Sequence, residues 1–541
     1  MASNAEQKEK GLALAMLSSE RPRNLSWRQA AGLLFGDWGT SRLYVLGIAF
    51  FVAGRSSLWL IMAMSVLVLA VGWAYTHICR IYPDGGGGYT AARRKHPVLG
   101  VVAALLLFAG YTVTASISAV EAFHYFGVGK QPAAIHAVED AGDEIRRVPD
   151  SAQAEPEPLL SANSPGLWAI IAILFIGGMN LLGPKHTGTY AVAAGLGMMV
   201  ISVLVVAFAL PQIDWANLQV GRLDHSPADW WYGFVAIVLA LSGVEAVANL
   251  TGVMERPVFR TARRSIYTIA VEVAVFNILI GLVMLSVFPL SRESHKEDML
   301  AYLAGIFIGP LGEWPVRVLG GMLLLSATNT AVVGIMSVVY VMSRDGEMPR
   351  FFQLLNGFGA PWIGAAVAAL VPAVVLLFAH DLGTLASLYA IGVVGAIAIN
   401  TTLCAFHPRL RRWYRKAPML LLGLLLAAIW ITLALTKPHA LLFVTIVLLV
   451  GLSLRAATRA AARRMAKPTL LRRAIMDQIT PEALAGPKIM LATAGSATMA
   501  EAAVQEAARA KAALVVAFVR EVALSYKAGT ERLTIETDPA A

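Results

Sequence analysis

The chain has 541 residues, of which 57% are hydrophobic and only 14% are charged, and its formal net charge is +10. Soluble globular proteins have about 45–50% apolar and about 25% charged residues, so this composition excludes an ordinary soluble domain. Runs of about 18 or more apolar residues instead predict an all-α polytopic protein of the lipid bilayer. The basic residues lie between these runs, so the positive charge is no signal of nucleic-acid binding, and none is expected.

Twelve transmembrane helices are predicted after a cytoplasmic N-terminal segment, 1–26. Together they form a transporter domain, 27–456, and their approximate limits are 28–53, 58–81, 98–126, 167–183, 189–210, 231–253, 266–289, 315–343, 361–379, 384–406, 418–435 and 438–455. Lys and Arg gather in alternate loops, which predicts cytoplasmic N- and C-termini in a bacterial-type plasma (inner) membrane. The longest external excursion, about 127–166, is acidic and contains several prolines.

The first predicted span is interrupted by the polar stretch from Gly36 to Tyr44, which contains Asp37. A charged side chain at membrane depth is costly, and irregular backbone there is tolerated where it lines a cavity. The interruption therefore predicts two half-helices with a polar gap, unwound at Asp37–Gly39, as in solute carriers. The alternative is a surface helix that ends at Asp37, but the remaining apolar run from Leu43 to Val52 is too short to cross ~30 Å of hydrocarbon.

The sixth span repeats this interruption, because Ser242, Gly243 and Glu245 divide two apolar runs. Two broken helices, five spans apart, predict a five-plus-five inverted repeat with two additional helices. The alternative is that Gly243 is a helix-packing contact and that Glu245 begins a cytoplasmic loop.

The third span carries a polar stripe of Tyr111, Thr114 and Ser118. Offsets of three and four residues bring these side chains to one helix face. Hydroxyl groups in membrane helices also bond to the preceding turn or join neighbouring helices. Periodicity by itself therefore leaves a substrate-binding role and a packing role open.

Two further acids lie within predicted spans. Glu121 follows the polar stripe near the external end of the third span, where we expect it to reach the membrane interface. Glu272 lies in the first turns of the seventh span, where we expect it to reach the interface or to pair with Arg263 or Arg264.

The C-terminal part has a different character. A basic linker, 457–485, precedes a cytoplasmic segment, 486–541, with two β-rich runs at 488–493 and 514–519. An Ala/Glu-rich helical pattern separates these runs, which predicts a parallel β-α-β unit.

The sequence contains no pattern of enzymatic chemistry. Its two cysteines, Cys79 and Cys404, are far apart, and no paired His/Cys ligands or nucleophile elbow are present. We predict a protein without enzyme activity and without a cofactor.

Three polar stretches resemble the motifs of KUP-type potassium uptake permeases. The stretch from Gly36 to Tyr44 resembles G-D-x-G-T-S-P-L-Y, residues 114–118 resemble T-P-A-I-S, and residues 242–246 resemble T-G-V-E-A. The glycine-rich loop after Pro83 and residues 344–349 look like the wider amino acid–polyamine–organocation (APC) superfamily. The resemblance implies a five-plus-five fold with broken helices 1 and 6, and proton-driven potassium uptake.

Carried over to this sequence, the resemblance implies a set of ion-binding residues. It implies potassium at Asp37, Tyr44, Thr114, Ser118 and Ser242, with Glu245 and Asp37 in proton coupling; Tyr111 is a further substrate-binding candidate from the polar stripe. The chain departs from the motifs at Gly110, where the family usually has an acid. It also departs at Arg42, where the family has proline.

The predicted site has the chemistry of a cation site. Potassium loses its water only if several oxygens replace it, and broken helices supply carbonyls beside the hydroxyls. Two acids in one dry cavity, Asp37 and Glu245, repel each other, so the pair should respond to protons.

Two other functions remain open at this stage. A proton-coupled amino acid permease would share the fold, although Asp37 would repel a substrate carboxylate. A membrane sensor would use the C-terminal segment as its output. That segment is similar to the opening of a universal stress protein domain, which implies a homodimer that completes it and a weak expectation of nucleotide binding.

Overall fold

The computed structural model of the protein is a bundle of apolar helices, with a small β-α-β unit later in the chain. It describes residues 23, 25–83, 87–129, 144–145, 159–182, 188–216, 218–292, 295–410, 412–465, 488–493, 497–510 and 513–518. Most of the N-terminal segment, of the external excursion and of the basic linker lies outside the described residues.

The elements are numbered along the chain. They are α1 (Trp27–Trp38), α2 (Ser41–Ala53), α3 (Ser57–Ile81), α4 (Gly87–Lys95), α5 (Pro97–Tyr125), α6 (Pro165–Asn180), α7 (Gly188–Ala209), α8 (Pro227–Ala236), α9 (Ala246–Leu250), α10 (Val258–Leu285), α11 (Met299–Phe307), α12 (Pro310–Arg344), α13 (Trp362–Phe378), α14 (Leu382–Ala405), α15 (Trp413–Thr436), α16 (Pro438–Met465), β1 (Lys488–Thr493), α17 (Ala497–Arg509) and β2 (Ala513–Phe518).

Helices of membrane-crossing length dominate the described chain. Eight segments are long and apolar enough to cross a bilayer, and nine if the bent pair α8 and α9 forms one span. The first segment, Trp27–Ile81, contains α1, α2 and α3, whereas α6 and α13 are apolar but shorter. The protein is therefore a polytopic membrane protein, as its composition predicts.

Helix α5 lies at the centre of the bundle, where it packs against α12 and α14. In the most apolar stretches of α5 and α14, 78% and 72% of the residues are buried, against 33% and 17% in α15 and α16. Charge and hydroxyl groups on α5 and α14 are thus removed from lipid, whereas α15 and α16 present apolar surface.

The first predicted break is present but is shifted by two residues. Helix α1 begins at a capping box of Ser26 and Gln29 and continues to Trp38, and α2 begins at Ser41. Asp37 therefore lies in the last helical turn, and Gly39 and Thr40 form a short turn whose dihedral angles remain in the right-handed helical region. The expectation of unwinding from Asp37 was wrong, because the carbonyl of Phe35 still accepts from the amide of Gly39.

The second predicted break separates α8 from α9. A short 3-10 turn, Val238–Leu241, follows α8, and residues 242–245 are not helical. The two halves are bent by 48°. Gly243 has a φ of +85°, a conformation that costs little only in glycine.

The two breaks lie against each other. A Cβ atom on Gly243 would be 2.8 Å from the amide nitrogen of Trp38 and 2.9 Å from the carbonyl carbon of Asp37. Glycine is thus required here both by its φ angle and by the close approach of another backbone. The contact brings the polar groups of both breaks into one region.

The C-terminal unit has the predicted form. Strands β1 and β2 pair in parallel, with Lys488 beside Ala513 and Thr493 beside Phe518, and α17 connects them. The prediction of a parallel β-α-β unit is confirmed for these residues.

Candidate cation-binding site

Asp37 is the central acidic group at the contact between the two breaks. Its side chain is buried on α1, next to Gly243 of the second break. Among the described residues, the carboxylate oxygen Oδ1 has no hydrogen-bond partner. A buried carboxylate oxygen without a partner is costly, so this atom is available to a ligand.

Hydroxyl groups from both breaks and from α2 lie around this carboxylate. The side chain of Ser242 interacts with Asp37 and with the hydroxyl group of Tyr44, and Thr40 is a further neighbour of Tyr44. The structure therefore brings Ser242, which is distant in sequence, to Asp37 and Tyr44, and these three residues were predicted as one site.

Tyr389 is a member of this group that the sequence did not reveal. It is buried on α14, close to Ser242 and within electrostatic range of Asp37 and Glu245. Its hydroxyl group has no hydrogen bond of standard geometry among the described residues. The only signal in the sequence is a single tyrosine in a mostly apolar helix, which is also common in membrane cores.

Glu245 lies in the second break, buried and within electrostatic range of Asp37. Its Oε2 atom has no hydrogen-bond partner among the described residues. The carboxyl group borders a cavity of about 10 Å³, which Tyr75, Gly88 and Asn400 also line. This volume holds about one water molecule. Glu245 thus faces the end of the bundle where α3 ends and α5 begins.

The polar stripe of α5 is buried, but its contacts are of the packing kind. Thr114 donates a hydrogen bond of 2.8 Å to the carbonyl of Gly110, in its own preceding turn. The ring of Tyr111 lies against Gly334 of α12. Ser118 is 3% exposed. Among the described residues, no hydrogen bond joins Thr114 or Ser118 to Asp37, so their part in the site stays a prediction.

A family model described as "Amino acid permease" matches residues 25–457. The chain belongs to this family. Its members are transporters and not enzymes, in agreement with the absence of enzymatic motifs in the sequence.

Among curated proteins, the chain resembles potassium transporters. The potassium transporter KimA of Bacillus subtilis (strain 168) is 23% identical over 429 residues, which are 75% of this chain and 61% of KimA. The probable potassium transport system protein Kup of Xanthomonas axonopodis pv. citri (strain 306) is 24% identical over 429 residues, 70% of this chain and 59% of that protein. The resemblance to KUP-type permeases of the APC superfamily is thus confirmed, although the chain spans about three fifths of these relatives' length.

An amino acid transporter is also among the relatives. The probable threonine/serine transporter YbxG of Bacillus subtilis (strain 168) is 21% identical over 234 residues, 40% of this chain and 48% of that protein. The relatives thus include transporters of both substrate classes that the sequence left open, potassium and amino acids. The choice between these two classes depends on the residues of the site.

The structure explains the first departure from the KUP motifs, at Gly110. A Cβ atom there would be 2.7 Å from Cγ2 of Val393, and one on Gly392 would be 2.9 Å from the amide nitrogen of Gly110. Helices α5 and α14 thus approach each other closely through two glycines. No space remains for an acidic side chain at position 110 unless Val393 moves.

The second departure, Arg42, forms a buried ion pair that the sequence did not predict. Its guanidinium group binds the carboxylate of Glu272 on α10 and also donates to the carbonyl of Gly39 at 3.1 Å and to Oγ of Ser202 at 3.2 Å. The expectation that Glu272 reaches the interface or pairs with arginines of its own helix was wrong, because helix α2 brings Arg42 to it inside the bundle.

The expectation for Glu121 was also wrong. Its side chain is fully buried instead of reaching the interface. Lys296, Glu297 and Asp298 are within electrostatic range of it, and the carbonyl of Lys296 lies directly against Gly47 of α2.

Proposed function

We propose that the protein is a secondary active transporter that couples potassium uptake to protons across the plasma membrane. The proposal is carried by the partnerless carboxylate oxygen of Asp37, at the meeting point of two helix breaks. Broken helices that meet inside a membrane protein are a common way to build an ion site, because they free backbone carbonyls for a desolvated ion.

The charges near the breaks support a cationic substrate. Arg42 is neutralised by its ion pair with Glu272, so it does not offer a free positive charge to an anion. The remaining charged groups of the site are the carboxyl groups of Asp37 and Glu245, which lie within electrostatic range of each other. Such a site attracts a cation and repels a carboxylate.

The oxygen atoms near Asp37 are those that potassium requires. We assign the hydroxyl groups of Tyr44, Ser242 and Tyr389 as neutral ligands beside the carboxylate. Thr114 and Ser118 of α5 are the remaining members of the proposed ligand set, and Tyr111 is a further substrate-binding candidate on the same helix. A mixture of one charge and several neutral oxygens can replace the hydration shell without holding the ion too tightly to release it.

The proposed architecture is twelve spans in a five-plus-five inverted repeat, with both termini in the cytoplasm. The breaks at Gly39–Thr40 and at residues 242–245 are supporting observations, since they fall in the first and sixth predicted spans. In this arrangement the end of α5 that carries Glu121 is external, and the small cavity beside Glu245 is on the cytoplasmic side of the site.

The competing function is a proton-coupled amino acid permease. The family description and the relative YbxG favour it. The position of Asp37 opposes it, because a substrate carboxylate placed at the breaks would meet a second carboxylate in a dry cavity.

Flux measurements on purified protein in proteoliposomes test the proposed function. With an imposed inward proton gradient, we expect uptake of potassium or rubidium that collapses when a protonophore removes the gradient. Uptake of leucine or alanine without any potassium flux would establish the amino acid permease instead.

Glu245→Gln tests the assignment of the proton. We expect potassium uptake to lose most of its dependence on pH, while potassium binding is retained in part, because the amide keeps the shape but cannot titrate. The matched control is Glu255→Gln, which changes an exposed carboxyl group outside the site. If Glu245→Gln keeps the full gradient-driven uptake, the proton is carried by another group.

A further inference from the structure

Glu121 is a buried acid that the site described above does not use. Its side chain is 0% exposed, and neither carboxylate oxygen has a hydrogen-bond partner among the described residues. An ionised carboxylate in such a place is strongly unfavourable unless a positive charge or a proton compensates it. Glu121 therefore has the surroundings of an ion-binding group.

The charged side chains of the segment 295–317 near Glu121 form hydrogen bonds and ion pairs with one another. Asp298 accepts hydrogen bonds from His295 at 2.9 Å and from Arg317 at 2.8 Å, and Arg317 also binds Glu313 at 2.7 Å. Burial by itself would raise the pKa of Asp298, but these hydrogen bonds hold it below its ordinary value. Asp298 thus stays charged, and Arg317 is not directed at Glu121.

Lys296, the positive charge that acts on Glu121, is also directed elsewhere. Its ammonium group lies over the ring of Phe51, 4.6 Å from the centroid, although it is within electrostatic range of Glu121. Glu297 interacts with His124 at 3.1 Å. The part of the chain that the structure describes contains no ion pair to Glu121.

Glu121 is linked to the candidate cation site through Tyr44. The phenol group of Tyr44 is within electrostatic range of both Glu121 and Asp37. One turn beyond Glu121, the hydroxyl group of Tyr125 donates to the carbonyl of Leu43 at 2.8 Å, which fixes the end of α5 to α2. The titratable or charged groups near Glu121, or in contact with those neighbours, are Tyr44, His124, Tyr125, His295, Lys296, Glu297, Asp298, Glu313 and Arg317.

We propose that Glu121 is a proton-binding site on the external side of the cation site, and that it exchanges its proton with the medium during uptake. A proton needs only one carboxylate oxygen, whereas a potassium ion needs several oxygens at once, and no described group hydrogen-bonds to the carboxylate of Glu121. The role in uptake rests on the proposed function and orientation, but the bound proton itself does not.

Infrared spectroscopy of the full-length protein tests the bound proton without any transport. We expect the carbonyl stretching band of protonated carboxyl groups to be weaker in Glu121→Gln than in the wild type, and unchanged in Glu255→Gln. An unchanged band in Glu121→Gln would overturn the proposal, whether or not the protein carries potassium.

Uptake into proteoliposomes, at varied external pH and fixed internal pH, tests the coupling. We expect Glu121→Gln to lose the dependence of uptake on external pH while the potassium concentration for half-maximal uptake remains that of the wild type. A full wild-type dependence on external pH would overturn the proposed exchange. If the wild type carries no potassium, the proposed function fails, and the infrared result still decides whether Glu121 binds a proton.

Discussion

Replacing Asp37 with asparagine is expected to lower potassium uptake by about a hundredfold or more. The variant keeps the shape of the side chain and some of its hydrogen bonding, but it removes the charge that compensates the lost hydration of the ion. Removing one partner of a buried charge pair costs about 3–5 kcal/mol, and each 1.4 kcal/mol is a factor of about ten in an equilibrium constant. Initial rates of rubidium uptake into proteoliposomes measure the effect.

The control for this experiment is Asp224→Asn, which removes an exposed aspartate before α8. This variant should transport as the wild type does. Because Asp37 is buried, the folded yield of both variants has to be compared by size-exclusion chromatography. A well-folded Asp37→Asn variant that retains half of the wild-type rate would contradict the assignment of Asp37 as the charged potassium ligand.

Replacing Arg42 with methionine is expected to destabilise the protein by about 3–5 kcal/mol, because it leaves the carboxylate of Glu272 buried without its partner. The effect should be large because Arg42 also donates to Gly39 and Ser202, so three contacts are lost together. The midpoint of thermal unfolding in detergent measures it.

A double variant distinguishes the effect of the unpaired charge on stability from the effect of losing the shape of the arginine side chain. Arg42→Met with Glu272→Gln removes both charges and should recover most of the stability that the single variant loses. Arg264→Met, at an exposed position of α10, is the matched control and should have little effect. If the single variant melts at the wild-type temperature, the ion pair contributes no net stability, and another reason is needed for an arginine inside the bundle.

The breaks could be predicted from the sequence because their cause is local. A carboxylate, glycines and hydroxyl groups within an apolar run are incompatible with a continuous lipid-facing helix, and this holds whatever the neighbouring helices are. The exact residues at which each helix ends and resumes could not be predicted in the same way. Asp37 stays helical because its turn closes on Phe35, and only the packing of Gly243 against that turn shows where the two breaks meet.

The partners of the buried charges were not predictable. Glu272 was assigned to neighbours on its own helix, since sequence spacing shows only contacts within one helix, whereas its partner is 230 residues away. Glu121 was assigned to the interface because hydropathy gives an approximate depth within a span but does not reveal which distant segments bury the side chain. Tyr389 was missed because one tyrosine in an apolar helix has no pattern.

By itself, the sequence determined the class of the protein, the positions of its apolar helices approximately, the two polar interruptions and the identity of most polar residues near them. These follow from hydrophobic transfer and from the cost of polar groups in lipid, which depend on composition and local order along the chain. Only the tertiary structure decided that Asp37, Tyr44, Ser242 and Tyr389 share one region, that Arg42 is neutralised, and that Glu121 is enclosed. Contacts between distant segments depend on how whole helices pack, and the hydrophobic periodicity of a single helix does not determine which helices pack against it.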